Sequence, residues 1–210
     1  MEKKTSRAGS RSVVAKGWYS RGYLPHLDAP SALQCITFRL ADSLPREKLL
    51  ELESALRARP RHRRTRARVR TIDRWLDAGM GCCALRHPCL AMRMQRALWH
   101  FDGERYRLLA WCVMPNHVHV LIEQLDALPR IVGSWKSYTG RWALAHDVVL
   151  GLGIPGKRLW MRDYWDRYIR DQRHLDAVRT YIDRNPVKAG LCRRAEDWPW
   201  SSAGFRRGKA

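Results

Sequence analysis

Apolar and polar residues along the middle of the chain follow two periods, one typical of strands and the other of helices. Strand-like runs occupy "LQCITFRL" (33–40), "YRLLAWCVM" (106–114) and "HVHVLIE" (117–123). Apolar residues at helical spacing predict helices over 45–58, 88–101, 128–146 and about 172–184, the last with Asp171 as its N-cap. The aromatic segment 158–171 favours a further strand.

The order of these segments predicts the fold class. Strand, helix, two strands around the break Met114-Pro115-Asn116, helix, strand, helix is typical of an α+β, ferredoxin-like antiparallel sheet with helices packed on one face. We expect one domain over 33–202. A basic, flexible arm (1–32) is expected to precede it and a basic tail (203–210) to follow it.

Charge then indicates the kind of partner. Lys and Arg total 40 and Asp and Glu total 20, so the formal net charge is +20, which favours nucleic acid. Nine arginines fall within the 18 residues from Arg57 to Arg74, a block too charged for a core. It is either a solvated linker or a contact to phosphates, and arginine suits bidentate phosphate binding. The predicted DNA contacts are Arg57, Arg59, Arg61, Arg63, Arg64, Arg66, Arg68, Lys136, Arg141, Arg170 and Lys188.

The cysteines and the apolar runs bear on location. The first thirty residues lack an apolar signal segment, and no apolar run reaches the length of about 18 residues that a membrane span needs. We therefore expect reduced thiols and a cytoplasmic, nucleoid-associated protein without a membrane partner. The run "CCALRHPC" (82–89) does not have the spacing of a paired-ligand zinc site, so a metal role is not favoured there.

His117 and His119 are the first candidates for chemistry. Side chains alternate across a strand, so these two imidazoles share one face of an otherwise apolar strand. Buried imidazoles need polar partners, which favours ligation of one metal ion over a pair of core histidines. Leu121 occupies the position where a histidine-triad hydrolase needs histidine and an H-x-H-x-D-H zinc hydrolase needs an acid. A third ligand must therefore come from elsewhere in the chain.

Tyr181 and Asn185 are candidates for the rest of the site. They are four residues apart in the last helix, so they lie on one of its faces. Pro186 disfavours helical geometry at Asn185, and the helix is predicted to end there. Without the histidines, a boundary tyrosine and a helix-ending Asn-Pro would be the simpler interpretation.

Three separated motifs in this order resemble a known family. They are "VMPNHVHVLIE", "LWMRDYWDRYIRDQRHLDAVRTYIDRNPVKAGL" and "DWPWSS" (197–202). They are similar to motifs of the REP-associated tyrosine transposases, a branch of the single-tyrosine HUH transposases of bacterial insertion sequences. The resemblance covers roughly 33–202 and does not extend to the N-terminal arm or the arginine-rich segment.

The resemblance implies an HUH endonuclease fold and a set of residue roles. His117 and His119 match the paired metal ligands, Asn185 the third ligand, and Tyr181 the nucleophile. The family cuts single-stranded DNA, leaving a 3′-hydroxyl and a 5′-phosphotyrosine. The implied cofactor is a divalent metal, Mg²⁺ or Mn²⁺. The implied partner is a REP-type palindrome folded as a hairpin, bound by a monomer or a homodimer.

Alternatives remain open at this point. Tyr138 is a rival nucleophile, although the position four residues later holds Trp142 rather than a ligand. The chain could also be a non-catalytic, domesticated regulator that binds DNA or RNA. The intact set of two histidines, a tyrosine and an asparagine favours the metal-dependent enzyme.

Overall fold

The computed structural model describes residues 16–20 and 25–207. Its strands are β1 (Gly17–Ser20), β2 (Pro25–Asp28), β3 (Leu33–Arg39), β4 (Tyr106–Val113), β5 (His117–Gln124) and β6 (Trp165–Tyr168). Its helices are α1 (Arg46–Arg57), α2 (Arg61–Asp77), α3 (Pro88–His100), α4 (Leu128–Leu150), α5 (Gln172–Lys188) and α6 (Ser202–Arg207). None of these helices is long and apolar enough to cross a membrane.

The main sheet has the strand order β4-β5-β3-β6, and each neighbouring pair is antiparallel. Counted along the chain, these are the second, third, first and fourth strands of the sheet, which is the ferredoxin-like order. The predicted fold class is therefore confirmed, and so is the predicted hairpin of β4 and β5. The two central strands are β5, which carries the histidines, and β3.

The two faces of the sheet are covered by different helices. Ile36, Phe38, Val118 and Val120 pack against apolar residues of α3 and α4 in the larger core. Ile182 of α5 packs on the other face, against Cys35, Ala110, Cys112 and Leu121. The prediction that the helices lie on one face is thus wrong for α5, because the odd-numbered positions of β3 and β5 also form a buried surface.

Helix α5 extends further than the sequence predicted. Pro186 lies inside it, and the helix ends at Lys188 instead of Asn185. Proline removes one backbone donor and disfavours helical geometry before it. Here Ile182, Asn185 and Pro186 are all buried on the face that meets the sheet, so tertiary packing offsets the local preference. Asp171 caps the helix as predicted, accepting a hydrogen bond from the His174 amide.

Three other segments differ from the predictions. The arginine-rich segment is not a linker, since residues 61–77 form α2, and its contact with phosphates stays a prediction. Within the predicted tail, residues 203–207 belong to α6, and only Trp165–Tyr168 of the aromatic segment forms a strand. Part of the predicted arm forms the paired strands β1 and β2, whereas residues 1–15 lie outside the described part.

Buried polar contacts hold β2 against the main sheet. His26 is fully buried and contacts the carboxylates of Asp163 and Asp166. Asp28, also fully buried, accepts hydrogen bonds from the Gln124 side chain and the Leu128 amide. These partners are more than ninety residues away in sequence, at separations between 96 and 140. A composition-based prediction could not have found them.

The C-terminal "DWPWSS" motif holds α5 and the sheet together. The Trp198 indole donates to the Val113 carbonyl at 3.0 Å, and the Val113 amide donates to the Trp200 carbonyl at 2.8 Å. The Ser202 hydroxyl donates to Asp183 of α5 at 3.0 Å. These contacts fix α5 relative to β4.

Candidate active site

His117 and His119 lie at the start of β5, on the face covered by α5. Each imidazole is 1% exposed, and their Nε2 atoms are 3.0 Å apart. On the neighbouring strand β3, Arg39 lies opposite His117 and Thr37 lies opposite His119. The two imidazoles therefore lie on one face of β5, as predicted, and the Nε2 atoms of both rings point to the same place.

Neighbouring side chains orient both rings. Asn116 Oδ1 accepts a hydrogen bond from His117 Nδ1 at 2.7 Å, and Asn116 Nδ2 is itself fixed by the Met80 carbonyl at 2.9 Å. His119 Nδ1 is 2.8 Å from the Thr37 hydroxyl. In the tautomer with a proton on each Nδ1, both Nε2 atoms keep a lone pair, which is the arrangement that metal-ligating histidines show.

Burial keeps both imidazoles uncharged. It lowers the pKa of His119 to about 3, with the positive charge of Lys188 adding to the effect. Burial also lowers the pKa of His117 well below its usual range, helped by His119 and Lys188. Neutral imidazoles are the form that binds metal ions, so both rings are in the ligating state at neutral pH.

Helix α5 brings Asn185 and Tyr181 to the histidines. Asn185 is 1% exposed, and its Nδ2 lies 3.3 Å from His119 Nε2, whereas its Oδ1 has no hydrogen-bond partner among the described residues. The Tyr181 ring packs edge-on against His119, with centroids 5.2 Å apart. One helix thus carries both predicted residues to the histidine pair.

The environment disfavours ionised Tyr181 in this state. Burial raises the pKa of Tyr181 well above its ordinary value, and the negative charges of Asp73 and Asp77 add to the effect. The neighbouring Asn185 side chain acts in the opposite direction and lowers the pKa of Tyr181. A neutral phenol is a weak nucleophile, so a reaction at this hydroxyl requires a proton acceptor or a nearby positive charge.

The donor set fits a divalent cation. Two nitrogen ligands that each lie about 2.1 Å from an ion, with their two bonds to the ion at right angles, are about 3 Å apart. The observed separation of the two Nε2 atoms matches this distance. If the side-chain amide of Asn185 rotates so that Oδ1 and Nδ2 exchange places, the unpartnered Oδ1 atom supplies an oxygen ligand for the cation. The described residues hold no group of three or more His, Cys, Asp or Glu suited to a metal ion, so the third ligand here depends on the amide.

A cleft of about 510 Å³ opens beside Tyr181. It is lined by Ala177, Thr180, Tyr181, Arg184, Val187 and Lys188. Arg184 and Lys188 are exposed, and Lys188 pairs with Asp77 at 2.6 Å. The cleft thus has two cationic side chains beside Tyr181.

The rival Tyr138 does not reach the histidines. It lies on α4, which packs on the opposite face of the sheet, and its side chain is 45% exposed. Its hydroxyl accepts a hydrogen bond from Arg93 at 2.7 Å. The geometry therefore brings together Tyr181, Asn185 and the two histidines, and leaves Tyr138 out.

The residues predicted to contact DNA differ in their exposure and in the hydrogen bonds that they make. Lys136 lies on α4 and donates to the carbonyls of Met161, Arg162 and Asp163, so its ammonium fixes a loop and is a poor candidate for DNA. Arg64 caps α1 by donating to the carbonyls of Arg57 and Arg59. Exposed side chains belong to Arg57, Arg59, Arg61, Arg63, Arg66, Arg141, Arg170 and Lys188, whereas Arg64 and Arg68 are half-buried.

Sequence reasoning missed several residues of the site. Asn116 directly precedes the histidine pair, and its position in "MPNHVH" was a signal that could have been used. Thr37 shares the histidine face of β3, but its pairing with His119 is a matter of strand register. Arg184 lines the cleft because it follows Tyr181 by three residues on α5.

Comparisons with known proteins agree with this arrangement. The family described as "Transposase IS200 like" matches residues 91–185, a segment that begins in α3 and ends at Asn185. A REP-associated tyrosine transposase of Escherichia coli (strain K12) is 25% identical over 118 residues, which are 56% of this chain and 62% of the relative. A Haemophilus influenzae (strain ATCC 51907 / DSM 11121 / KW20 / Rd) relative with the same family description is 29% identical over 103 residues, 46% of this chain and 58% of the relative.

The fold agrees as well. A solved structure of a REP-associated tyrosine transposase bound to a REP hairpin has a TM-score of 0.50 and 18% sequence identity, covering 91% of this chain and 85% of that one. The matches to the curated relatives span about three fifths of the length of each relative. The chain is thus similar in sequence to the REP-associated tyrosine transposases and to the IS200-like transposase family, and similar in fold to a REP-associated tyrosine transposase.

Proposed function

We propose that this protein cuts and rejoins single-stranded DNA through a covalent 5′-phosphotyrosine intermediate on Tyr181. The observation that carries the proposal is the buried cluster of Tyr181, Asn185, His117 and His119. It combines a hydroxyl nucleophile with three potential ligands on neighbouring elements. The family resemblance supports a transposase, and this donor set supports a metal-dependent one.

The proposed reaction is an in-line displacement at phosphorus. Tyr181 Oη attacks the scissile phosphate, the bond from phosphorus to the 3′ oxygen breaks, and the released strand ends in a 3′-hydroxyl. His117, His119 and Asn185 would hold a divalent cation, Mg²⁺ or Mn²⁺, which would neutralise charge on the non-bridging oxygens. Rejoining is the reverse displacement by a 3′-hydroxyl, so no external energy source is required.

The proposed substrate is a hairpin of the REP type with a single-stranded flank. The net charge of +20 and the exposed cations Arg184 and Lys188 at the cleft support a polyanion close to Tyr181. Aromatic side chains suited to bases are also exposed, since Trp18 and Tyr168 are 63% and 39% exposed and pack edge-to-face. The hairpin bound by the structural neighbour supports this substrate class.

Covalent capture tests the function. Incubation with a hairpin oligonucleotide that carries a single-stranded flank, in the presence of Mn²⁺, is expected to give a protein–DNA adduct that survives denaturation. Tyr181→Phe should fold and bind but form no adduct, because it lacks one oxygen. Tyr138→Phe is the matched control and should keep the adduct.

Each outcome has a defined meaning. Peptide mapping should find the DNA on Tyr181 and a free 3′-hydroxyl on the released fragment. Binding of the hairpin without any cleavage by the wild-type protein would instead favour the non-catalytic regulator. Cleavage without an adduct would indicate a water nucleophile, and an adduct on Tyr138 would replace the assignment.

A further inference from the structure

The hairpin of β1 and β2 has the reverse of the usual pattern of buried and exposed side chains. Strand pairing places Tyr19 and His26 on one face of the hairpin, and Trp18 and Leu27 on the other. His26 is fully buried, whereas Trp18 is 63% exposed. In a hairpin whose pattern served stability alone, the tryptophan would face the core and the histidine would face the solvent. The reversed pattern therefore indicates a use for the exposed indole other than packing.

Trp18 is not an isolated exposed side chain, because it meets Tyr168 of β6. The centroids of the two rings are 5.9 Å apart, and the rings lie edge to face at 83°. Tyr168 is itself 39% exposed. Single exposed aromatic residues are common on protein surfaces, but two that touch from segments far apart in sequence form a continuous patch.

Buried polar contacts hold the two rings in place. The imidazole of His26 contacts the carboxylate of Asp166 on β6, and its Nε2 lies 3.3 Å from the carboxylate of Asp163. A displaced hairpin would leave these buried groups without partners, which is costly. Tyr168 follows Asp166 by two residues, so the strand that anchors the hairpin also carries the second ring. Trp18 is thus fixed beside Tyr168, and a pre-ordered pair loses little entropy when a ligand binds.

Cationic side chains lie next to the aromatic pair in the sequence. Arg167 and Arg170 are close to Tyr168, Lys16 is close to Trp18, and all three cations are exposed. None of them forms an ion pair with an acid in the part of the chain that the structure describes. Exposed aromatic rings with unpaired cations suit single-stranded nucleic acid, because bases stack on the rings and phosphates bind the cations. A second copy of this chain fits less well, since two molecules with a net charge of +20 repel each other.

The register of the sheet gives the position of the pair relative to the histidines. Tyr168 pairs with Gln34 of β3, and Thr37, three residues later on β3, pairs with His119. Two strand spacings of about 4.8 Å and three residues of about 3.3 Å place the Cα atoms of Tyr168 and His119 on the order of 14 Å apart. Because side chains alternate, Arg167 lies on the histidine face and Tyr168 on the other. A single strand passing around β6, the last strand of the sheet, would meet both.

We propose that Trp18 and Tyr168 form a stacking site for unpaired bases in the single-stranded flank of the DNA substrate. The proposal deepens the proposed function and rests on its substrate, a hairpin with a single-stranded flank, but not on the chemistry at Tyr181. The site adds affinity without selecting a sequence, because every base has a face that stacks on an aromatic ring. Its fixed distance from the histidines also positions the flank relative to the proposed active site.

Two hairpin oligonucleotides with the same stem test the site by fluorescence anisotropy at one salt concentration. One has normal bases in single-stranded flanks on both sides, and the other has abasic nucleotides there, so the phosphates are the same. Trp18→Ala should weaken binding of the first oligonucleotide about 5- to 150-fold, which corresponds to the loss of one stacked base. Tyr168→Ala should weaken it as well. Neither variant should change binding of the abasic oligonucleotide, which the wild type should bind more weakly than the first.

Two further variants and a folding measurement serve as controls. Trp18→Phe keeps an aromatic ring and should retain most of the affinity that Trp18→Ala loses. Tyr138 is 45% exposed on α4, and Tyr138→Ala should bind both oligonucleotides within about twofold of the wild type. The alanine variants of the pair should melt as the wild type does, because both side chains are exposed.

The results that overturn the proposal differ from those that overturn the proposed function. Wild-type affinity of Trp18→Ala for the base-bearing oligonucleotide, or an equal loss on the abasic one, would reject base stacking. A changed oligomeric state of Trp18→Ala in sedimentation, with unchanged DNA affinity, would assign the pair to a contact between copies. Failure of the wild type to bind either oligonucleotide would reject the proposed substrate. Normal stacking without any adduct at Tyr181 would reject only the proposed chemistry.

Discussion

At the scale of single residues, the histidine pair is held in a form that a cation would stabilise. The two Nε2 atoms lie 3.0 Å from each other and face one point, and the rings are neutral because they are buried. Two lone pairs so close together repel unless a proton or a cation lies between them. The pair should therefore contribute more to stability when a divalent ion is bound.

Metal binding by the histidines can be measured without DNA. Mn²⁺ at about 100 times its dissociation constant should raise the unfolding free energy of the wild type by about 2.7 kcal/mol. His117→Ala and His119→Ala should lose this gain and also lose strand cleavage, while hairpin binding persists. His146→Ala, which removes an imidazole bonded to the Trp142 carbonyl on α4, is the control. Cleavage by both histidine variants in Mn²⁺ would contradict the assignment.

The side chains behind the ligands should have graded effects. Thr37→Val removes the hydroxyl that orients His119, and we expect metal affinity to fall about 10- to 100-fold. Asn185→Ala should weaken metal binding less completely than loss of a histidine, because water can replace an amide oxygen. Calorimetric titration with Mn²⁺ compares the variants, and equal affinities in all of them would place the ion elsewhere.

The ionisation of Asp73 should make the free energy of unfolding depend on pH. Its pKa is raised from 3.8 to about 6 in the folded protein, so the folded state holds its proton more tightly than the unfolded chain. The ionised Asp73 carboxylate destabilises the folded state. This destabilisation is fully present above pH 6 and disappears as the pH falls below about 4. Asp73→Asn should therefore be more stable than the wild type at pH 8, by roughly 2–3 kcal/mol, and equal to it near pH 3.5. Urea unfolding at both pH values measures the difference, and equal stability at pH 8 would contradict the buried carboxylate.

At the scale of elements, α1 and α2 form an arginine-lined groove. Its volume is about 950 Å³, and its lining includes Arg59, Arg63, Arg66, Arg70 and Arg74. On α2 these side chains follow one another at intervals of three or four residues, so they form a stripe along one side of the helix. The C-terminal end of the same helix carries Asp77, which pairs with Lys188 of α5. A helix that binds phosphates would thus also position groups around the nucleophile.

Neutralising the stripe tests its contact with DNA. The triple variant Arg59→Gln, Arg63→Gln, Arg66→Gln should weaken hairpin binding and lower the dependence on salt, because fewer phosphates are neutralised. A variant with the same charge change, Arg107→Gln, Arg130→Gln, Arg194→Gln, is the control, since those side chains are exposed and paired with acids. Equal salt slopes in the two triple variants would mean that the stripe is only solvated.

At the scale of the whole molecule, the net charge of +20 is expected to govern affinity. Binding should fall linearly with salt on a logarithmic scale, with a slope of about −0.7 for each phosphate neutralised on a single strand. The protein should prefer hairpin or single-stranded DNA over a duplex of the same length, because the proposed chemistry needs an accessible phosphodiester at Tyr181. Fluorescence anisotropy at several salt concentrations checks both points, and tighter binding to the duplex would contradict them.

The sequence by itself determined the fold class and the candidate residues of the site. Periodicity indicated the strands that carry His117 and His119, and helical spacing placed Tyr181 and Asn185 on one face. These are local properties: alternation and a repeat of 3.6 residues can be recognised without knowing what the segments pack against. The order of the elements was enough to predict the antiparallel sheet.

Only the tertiary structure decided which groups surround those residues. It extended α5 past Pro186, packed β2 against the main sheet around buried His26, and turned the arginine block into a helix. It also brought Asp77 of α2 to Lys188 of α5, which lies more than a hundred positions later in the sequence. Each of these results depends on partners distant in sequence, and the energy of such contacts comes from burial and long-range hydrogen bonds. Local pattern contains no information about them.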